Sequence, residues 1–488
     1  MHTLRVKLMQ HTPLIHFQHD QDGATLRASE VKPKLDRYIL SNLTTEQRTQ
    51  GEREGWIKSE KDRVWLDYKM RIEAEGRDRD VLLGVSEKKG KFITDDFPFL
   101  LANMGGKETR DELMNLSIYS NVKMNVLIQS DCLSELIRNN IETFFATHNF
   151  GQRQTKGFGS FSVAKIKFDN NQEETIQWLA NDYYENGTPL MKFSLNADNS
   201  AFDKQFMLFS VIDFYWRCLK SGVNYTKRIV PRNGQGNVTI KYTERYIKAY
   251  LWTYLNSKGV TWEKRMLKNV FGLETSFPRR TYSDNANIAF FARGLMGCPD
   301  KYEYRIPQNT FYQGRDNKFK ENVVSHTINI DNVSGEIERI SSPIIFKPII
   351  VNNNVSVYIL FDSFLINKLN NLSDEDRKFS FSVRNNTKQL SITPDCIDYH
   401  DLIKKFHRHV FTESSFLQST IGNYDENNIW RPARISIVKD EAGKVVSRNY
   451  GNTNISWKMI PRNFRWENIL ALNDKTQNKF VSFLQIVK

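Results

Sequence analysis

Four strand-like runs and two helical periodicities share the first 170 residues, and their order restricts the fold more than any other feature of the chain. Leu4, Val6 and Leu8 alternate with Arg5 and Lys7 across Thr3–Gln10. A period of two collects the apolar side chains on one face, which predicts a half-buried strand. Pro13 and the polar stretch His16–Gly23 break it. Leu26–Leu40 then has helical spacing, with Leu26, Leu35, Tyr38 and Ile39 apolar. Pro33 requires that helix either to begin near it or to bend in an early turn. Val64, Leu66, Tyr68, Met70 and Ile72 predict a second strand, and Val122, Met124, Val126 and Ile128 a third. Ser130 is placed to cap the next helix, and Asp131 complements its positive end. Leu133, Leu136, Ile137, Ile141, Phe144 and Phe145 carry that helix toward Phe150, and Phe161–Phe168 predicts a closing strand. Strand, helix, strand, strand, helix, strand is the split βαβ arrangement of ferredoxin-like and RRM-like α+β folds.

Between the second helix and the closing strand lies Gly151–Phe161, GQRQTKGFGSF. Glycine permits backbone conformations and close approaches that a side chain forbids. Arg153, Gln154 and Lys156 add positive charge and an amide donor to the same loop, a combination suited to a phosphodiester backbone. A short glycine motif alone is weak, and a plain turn between two elements has the same local pattern.

The net charge is +13, and it is concentrated. From Arg217 to Arg280 there are 14 lysines and arginines against Glu244, Glu263 and Glu274, a net of +11, which leaves +2 for the rest of the chain. Such an excess points to a polyanionic partner. Residues 202–272 read as helical: Phe202, Phe206 and Phe209 lead one run, and Tyr242, Tyr246, Tyr250 and Tyr254 form a four-residue stripe. Asn224–Asn237, with Lys227, Arg228 and Arg232, reads as a basic loop between helices. A membrane surface is disfavoured, because these segments lack a clean apolar face. Further on, Ile344–Phe346 and Val355–Phe361 predict a hairpin through Asn352-Asn353-Asn354. Tyr399–Phe411 reads as a helix and Phe480–Val487 as a strand.

With 40% hydrophobic and 12% aromatic residues, the 488-residue chain can bury real cores. There is no signal-peptide pattern and no apolar run near the ~20 residues a membrane span needs. Cys132, Cys218, Cys298 and Cys396 are far apart, which argues against a disulfide framework or a zinc ribbon. The chain reads as soluble and cytoplasmic, with no cofactor and no resident metal implied.

Taken together, strand order and glycine loop resemble the RAMP superfamily of CRISPR-associated proteins. The matching pieces are LRVKLMQHTPL at Leu4–Leu14, GATLRASEVKPKLDRYI at Gly23–Ile39 and RQTKGFGSF at Arg153–Phe161. RISSPIIFK at Arg339–Lys347 is similar to a strand in the second ferredoxin-like unit of larger members, with Gly294-Leu-Met-Gly-Cys-Pro299 as a companion turn. The layout resembles the two-unit RAMP subunit of Cmr-type, type III effector complexes. The resemblance implies a ferredoxin-like domain with a glycine-rich loop at 1–170, a basic, mainly helical insertion at 171–283, and a divergent second unit at 284–488. It implies guide or target RNA as ligand and other CRISPR-type effector subunits as partners. Arg27, Arg153, Gln154 and Lys156 would contact phosphates, and Gly157 and Gly159 would allow close approach. Phe158 would either stack on a base or plug the underside of the loop. Lys227, Arg228 and Arg232 extend the expected RNA-binding set.

Catalysis has a narrower basis. Some RAMP proteins are ribonucleases with a histidine near the first helix, and His16 and His19, beside Asp20 and Asp22, occupy that region here. A histidine near its ordinary pKa can move a proton at a ribose hydroxyl. No Ser/His/Asp, P-loop or paired CxxC signature accompanies them. The favoured reading is a non-catalytic RNA-binding subunit of an antiviral defence ribonucleoprotein. The alternative is an endoribonuclease that processes guide precursors.

Overall fold

Strand pairing in the computed structural model follows the alternation closely in the first 170 residues. The structure describes residues 1–15, 25–78, 118–184, 191–194, 223–229, 240–273, 289–313 and 319–411, apart from isolated positions, together with helical positions between 205 and 220 and four short strands from 422 to 451. The chain forms two compact units. The first comprises Met1–Asp213 with Ile345–Leu360, and the second Phe214–Ile344 with the chain after Leu360 to its last described strand. Compact units therefore do not divide at 170/171 and 283/284, because a hairpin from the third expected segment returns to the first unit.

In the first unit, β1 (His2–Gln10), α1 (Ala28–Asn42), α2 (Thr45–Glu54), β2 (Ile57–Glu60), β3 (Arg63–Leu66), β4 (Tyr68–Asp78), β5 (Ile118–Ile128), α3 (Asp131–Thr147), β6 (Phe161–Phe168) and β7 (Glu174–Thr175) follow in order. The sheet runs β4-β5-β1-β6-β7, and each pairing is antiparallel. Leu4, Val6 and Leu8 fall on one buried face of β1, opposite Val126, Met124 and Val122 of β5. They pack with Val31, Leu35 and Ile39 of α1 and Leu133, Ile137, Ile141 and Phe144 of α3. Burying one such side chain contributes about 1.5–3 kcal/mol. This helix–sheet interface therefore contributes substantially to the unit's stability.

Local chemistry sets the helix ends. Ser130 accepts a hydrogen bond from the Leu133 amide, as its position predicts. Thr44 and Gln47 form a reciprocal capping box on α2. Pro33 lies inside α1, in its second turn. The run expected as one strand from Val64 to Ile72 is divided at Asp67, whose amide donates to the Trp56 carbonyl and closes the small β2–β3 hairpin. A further sheet in this unit joins β15 (Ile344–Val351), β16 (Asn354–Phe361) and β8 (Met191–Ser194). β15 and β16 are neighbours in it, as the expected hairpin through Asn352-Asn353-Asn354 requires.

The second unit departs further from expectation. Asn224–Asn237 begins as a strand, β9 (Val223–Ile229), which pairs with β10 (Ile240–Ile247). Tyr242 and Tyr246 are thus strand residues, whereas Tyr250 and Tyr254 belong to α4 (Tyr250–Ser257). Positions four apart share a face in a strand as well as in a helix, so the stripe did not distinguish the two. Among the described residues the basic segment holds both strands and helices. One sheet runs β22-β21-β10-β9, with β21 (Arg434–Lys439) and β22 (Val445–Gly451). Another joins β13 (Lys301–Gln313), β14 (Phe319–Asn332), β17 (Lys378–Val383) and β18 (Asn386–Ser391) in that order. This order follows the chain and is not the interleaved order of the first unit. The turn Gly294–Pro299 pairs with the Arg339–Ser342 segment through an antiparallel bridge between Cys298 and Ile340, with Gly297 at φ +102°. The Tyr399–Phe411 helix forms as expected, and Phe480–Val487 lies outside the described residues.

Candidate nucleic-acid interface

The glycine loop is built against its own chain. Asn149 and Ser160 pair across its base, and the Phe150 amide donates to the Gly159 carbonyl at 3.0 Å. Gly151, Gly157 and Gly159 have φ of +76°, +90° and +65°, values that disfavour side chains. A Cβ on Gly159 would lie 2.0 Å from the Phe150 carbonyl oxygen, and one on Gly157 would lie 2.9 Å from Pro348 Cγ. The close approach that Gly157 and Gly159 permit is therefore filled by protein atoms. Phe158 is fully buried and stacks on Phe209 with ring centroids 4.0 Å apart. Of its two expected roles, the structure shows the plug.

The segment after β1 supplies one wall. The Gly159 amide donates to the Pro13 carbonyl (2.8 Å), and Gln152 to Ile15 (2.8 Å). The Thr12 hydroxyl donates to the Gly157 carbonyl at 2.6 Å and accepts from the Ser160 amide at 2.9 Å. His11 is buried, with Nδ1 accepting from the Ile350 amide at 3.1 Å. That bond places the proton on Nε2, which donates to Ser162 Oγ at 2.8 Å. Burial, with the nearby Lys347 charge, pushes His11 down to about 3. His11 is thus a neutral structural group.

From α1 comes the second wall. Glu30 accepts from the Gly151 amide at 2.5 Å, and Lys34 donates to Glu30 (3.2 Å), to the Asn149 carbonyl (3.2 Å) and to Gln154 Oε1 (2.8 Å). Burial lowers the Lys34 pKa, and Glu30 opposes that shift. Arg27 stands at the N-cap position of α1, with no capping hydrogen bond from its side chain, and is half-buried. What remains toward solvent is a rim: Gln152 is exposed and Arg153, Gln154 and Thr155 are half-buried, whereas Lys156 turns inward and its ammonium nitrogen is buried. Arg153 holds a left-handed φ of +55° as the N-cap of a 3-10 turn, Gln154–Lys156. The Lys156 ammonium lies 6.0 Å from the Phe346 ring centroid.

The structure therefore places Arg27, Arg153, Gln154 and Lys156 in the first unit. Lys227 and Arg228 lie on β9 of the second, with backbones paired to Thr243 and Tyr242. Arg232, His16 and His19 lie outside the described residues. Part of the +11 excess works inside the second unit. The buried Lys220 amine donates to the Met296 and Gly297 carbonyls, both at 2.9 Å, and burial pushes its pKa down to about 8. Lys258 and Lys268 sit over Tyr254 and Tyr304 at 4.6 and 5.3 Å. Among the described residues, no three His, Cys, Asp or Glu side chains converge as a metal site, and all four cysteines are free thiols. No helix there is long and apolar enough to cross a membrane.

Two family models match the chain, the Cmr1 N-terminal domain over residues 1–223 and the Cmr1 C-terminal domain over residues 246–430. The chain belongs to the Cmr1 family. The N-terminal domain model spans β1 through β8, the glycine loop included. Cmr1 from Pyrococcus furiosus in its apo form is 11% identical with a TM-score of 0.29, over 63% of this chain and 84% of that one. A chain of the Type III-B Cmr-beta complex bound to cognate target RNA is 13% identical with a TM-score of 0.27, over 74% and 94%. The family assignment rests on the two domain models and not on these superpositions. No curated protein sequence matches the chain.

Sequence reasoning missed Lys34, Asn149, Ser160 and Lys347 as builders of the loop. Lys347 alone left a signal, a lysine inside the apolar run Ile344–Ile350.

Proposed function

We propose that this Cmr1-family protein is an RNA-binding subunit of a CRISPR-type antiviral effector ribonucleoprotein in the cytoplasm. Membership of the Cmr1 family, through domain models covering both 1–223 and 246–430, is the observation that carries this reading. RNA, the ligand of the Type III-B Cmr-beta assembly, is the polyanion proposed here, with other effector subunits as protein partners. The order β4-β5-β1-β6 supports a ferredoxin-like reading of the first unit, with the loop at one end of its sheet.

In this reading the rim of the glycine loop meets the RNA backbone. Arg153 supplies the rim cation and Gln152 and Gln154 amide groups, while Lys156 and Arg27, each with a side-chain nitrogen buried in the free protein, join them by turning outward. Lys227, Arg228 and Arg232 contribute from the basic segment. Gly157, Phe158 and Gly159 act from beneath by shaping the loop. Phosphate contacts of this kind hold RNA without reading its sequence. Fluorescence anisotropy with several labelled single-stranded RNAs tests the proposal. Arg153→Glu with Lys156→Glu is expected to weaken all of them by a similar factor, at least about tenfold. Unchanged binding by the double variant would remove the loop from the interface.

A further inference from the structure

We propose that Phe346–Pro348, a strand segment nearly two hundred residues downstream of the glycine loop, is the element that positions that loop, with Lys347 as its clamp. The inference rests on reading the loop as RNA-facing. Lys347 is fully buried, and its amine donates to the His148 carbonyl at 2.7 Å and the Phe161 carbonyl at 2.9 Å. These two carbonyls flank the loop on its entering and leaving sides. One amine therefore fixes the separation of both flanks.

The neighbouring residues of the same strand act on the same target. Phe346 accepts from Asn149 Nδ2 at 2.8 Å, and that amide also donates to the Gln154 carbonyl within the loop at 2.7 Å. Pro348 accepts from Ser160 Oγ at 2.6 Å, and its ring lies where a Cβ on Gly157 would stand. Two residues further on, the Ile350 amide holds His11. Consecutive positions of β15 thus engage the start, the middle and the end of the loop.

Energetics favour a directional role for Lys347. No carboxylate among the described residues pairs with it, and burial drives its pKa well below the ordinary value. A buried amine without an ionic partner is costly, and an apolar side chain would fill the space at less expense. What an apolar side chain cannot supply is two hydrogen bonds to two separate stretches of backbone. A loop held in this way loses less freedom on binding RNA, so its affinity is higher for the same phosphate contacts.

Lys347→Met in the full chain tests the clamp. Backbone amide exchange at Phe158–Phe161, measured without RNA, is expected to accelerate at least about tenfold. Affinity for a labelled single-stranded RNA is expected to fall by a similar factor, with the slope of log affinity against log salt unchanged. Arg153→Gln, by contrast, is expected to reduce that slope by about 0.7, the share of one phosphate contact on a single strand. Parent-like exchange in Lys347→Met overturns the proposal. So does a reduced salt slope, because Lys347 would then be a direct contact. Faster exchange in a protein whose parent form binds no RNA leaves the clamp standing and sinks the RNA reading. If Lys347→Met does not fold, Asn149→Ala combined with Ser160→Ala severs the same strand from the loop side. Parent-like exchange in that variant is equally fatal.

Discussion

Gly159 and Gly259 have nearly the same backbone angle, φ +65° and +72°, yet they stand in opposite surroundings. A Cβ at Gly159 meets the Phe150 carbonyl, whereas nothing lies within 4 Å of one at Gly259. Gly259→Ala is expected to cost about 1 kcal/mol from backbone strain alone. Gly159→Ala adds a collision with backbone and is expected to cost at least about 3 kcal/mol. Thermal unfolding of the two variants checks the difference. Acid stability also belongs to single residues. Burial pushes His11 down to about 3 and His148 to about 4, from the ordinary 6.5. Below pH 6.5 the unfolded chain takes up protons that these two folded imidazoles refuse. Stability therefore falls as pH drops from about 6.5 toward 4, by roughly 1.4 kcal/mol per unit for each histidine. Half-buried His2, bonded to Asp131 and Asp169, is shifted upward and acts in the opposite sense. Urea melts between pH 7 and 4.5 are expected to show the net loss, and to show less of it in His11→Gln.

Elements of the first unit were legible because one face of each is buried and the other is wet. Leu4, Val6 and Leu8 in β1, and Val122, Met124, Val126 and Ile128 in β5, state their strands directly through alternation. In the second unit that contrast failed at Tyr242 and Tyr246, where a spacing of four fits strand and helix alike. The glycine loop was legible as a loop, but its glycines answer to the Phe150 carbonyl and Pro348, contacts no local pattern contains. Lys347 could be noticed in sequence, whereas its acceptors at His148 and Phe161 depend on the tertiary fold. The strand assignment of β10 has its own test. Thr243 pairs with Lys227 on one side and Ser436 on the other, so proline there breaks an internal ladder. Thr243→Pro is expected to abolish cooperative unfolding of the second unit in calorimetry while the first unit's transition persists. An unchanged profile would contradict the strand.

Across the whole molecule, charge and shape divide the work. The loop rim carries Arg153, and the segment from Arg217 to Arg280 carries the larger excess of +11. Some of that excess is engaged internally, as at Lys220, so fewer charges than the count are left for the proposed RNA contact. Binding dominated by phosphate contacts releases condensed counterions, and its affinity must depend steeply on salt. The central claim is that this Cmr1-family chain binds RNA through its backbone. Equilibrium binding of a labelled single-stranded RNA across a series of salt concentrations tests that claim most directly. The account predicts a straight line of log affinity against log salt, falling by about 0.7 per phosphate contact, with several contacts in total. A flat line, or no binding at the lowest salt, would contradict it.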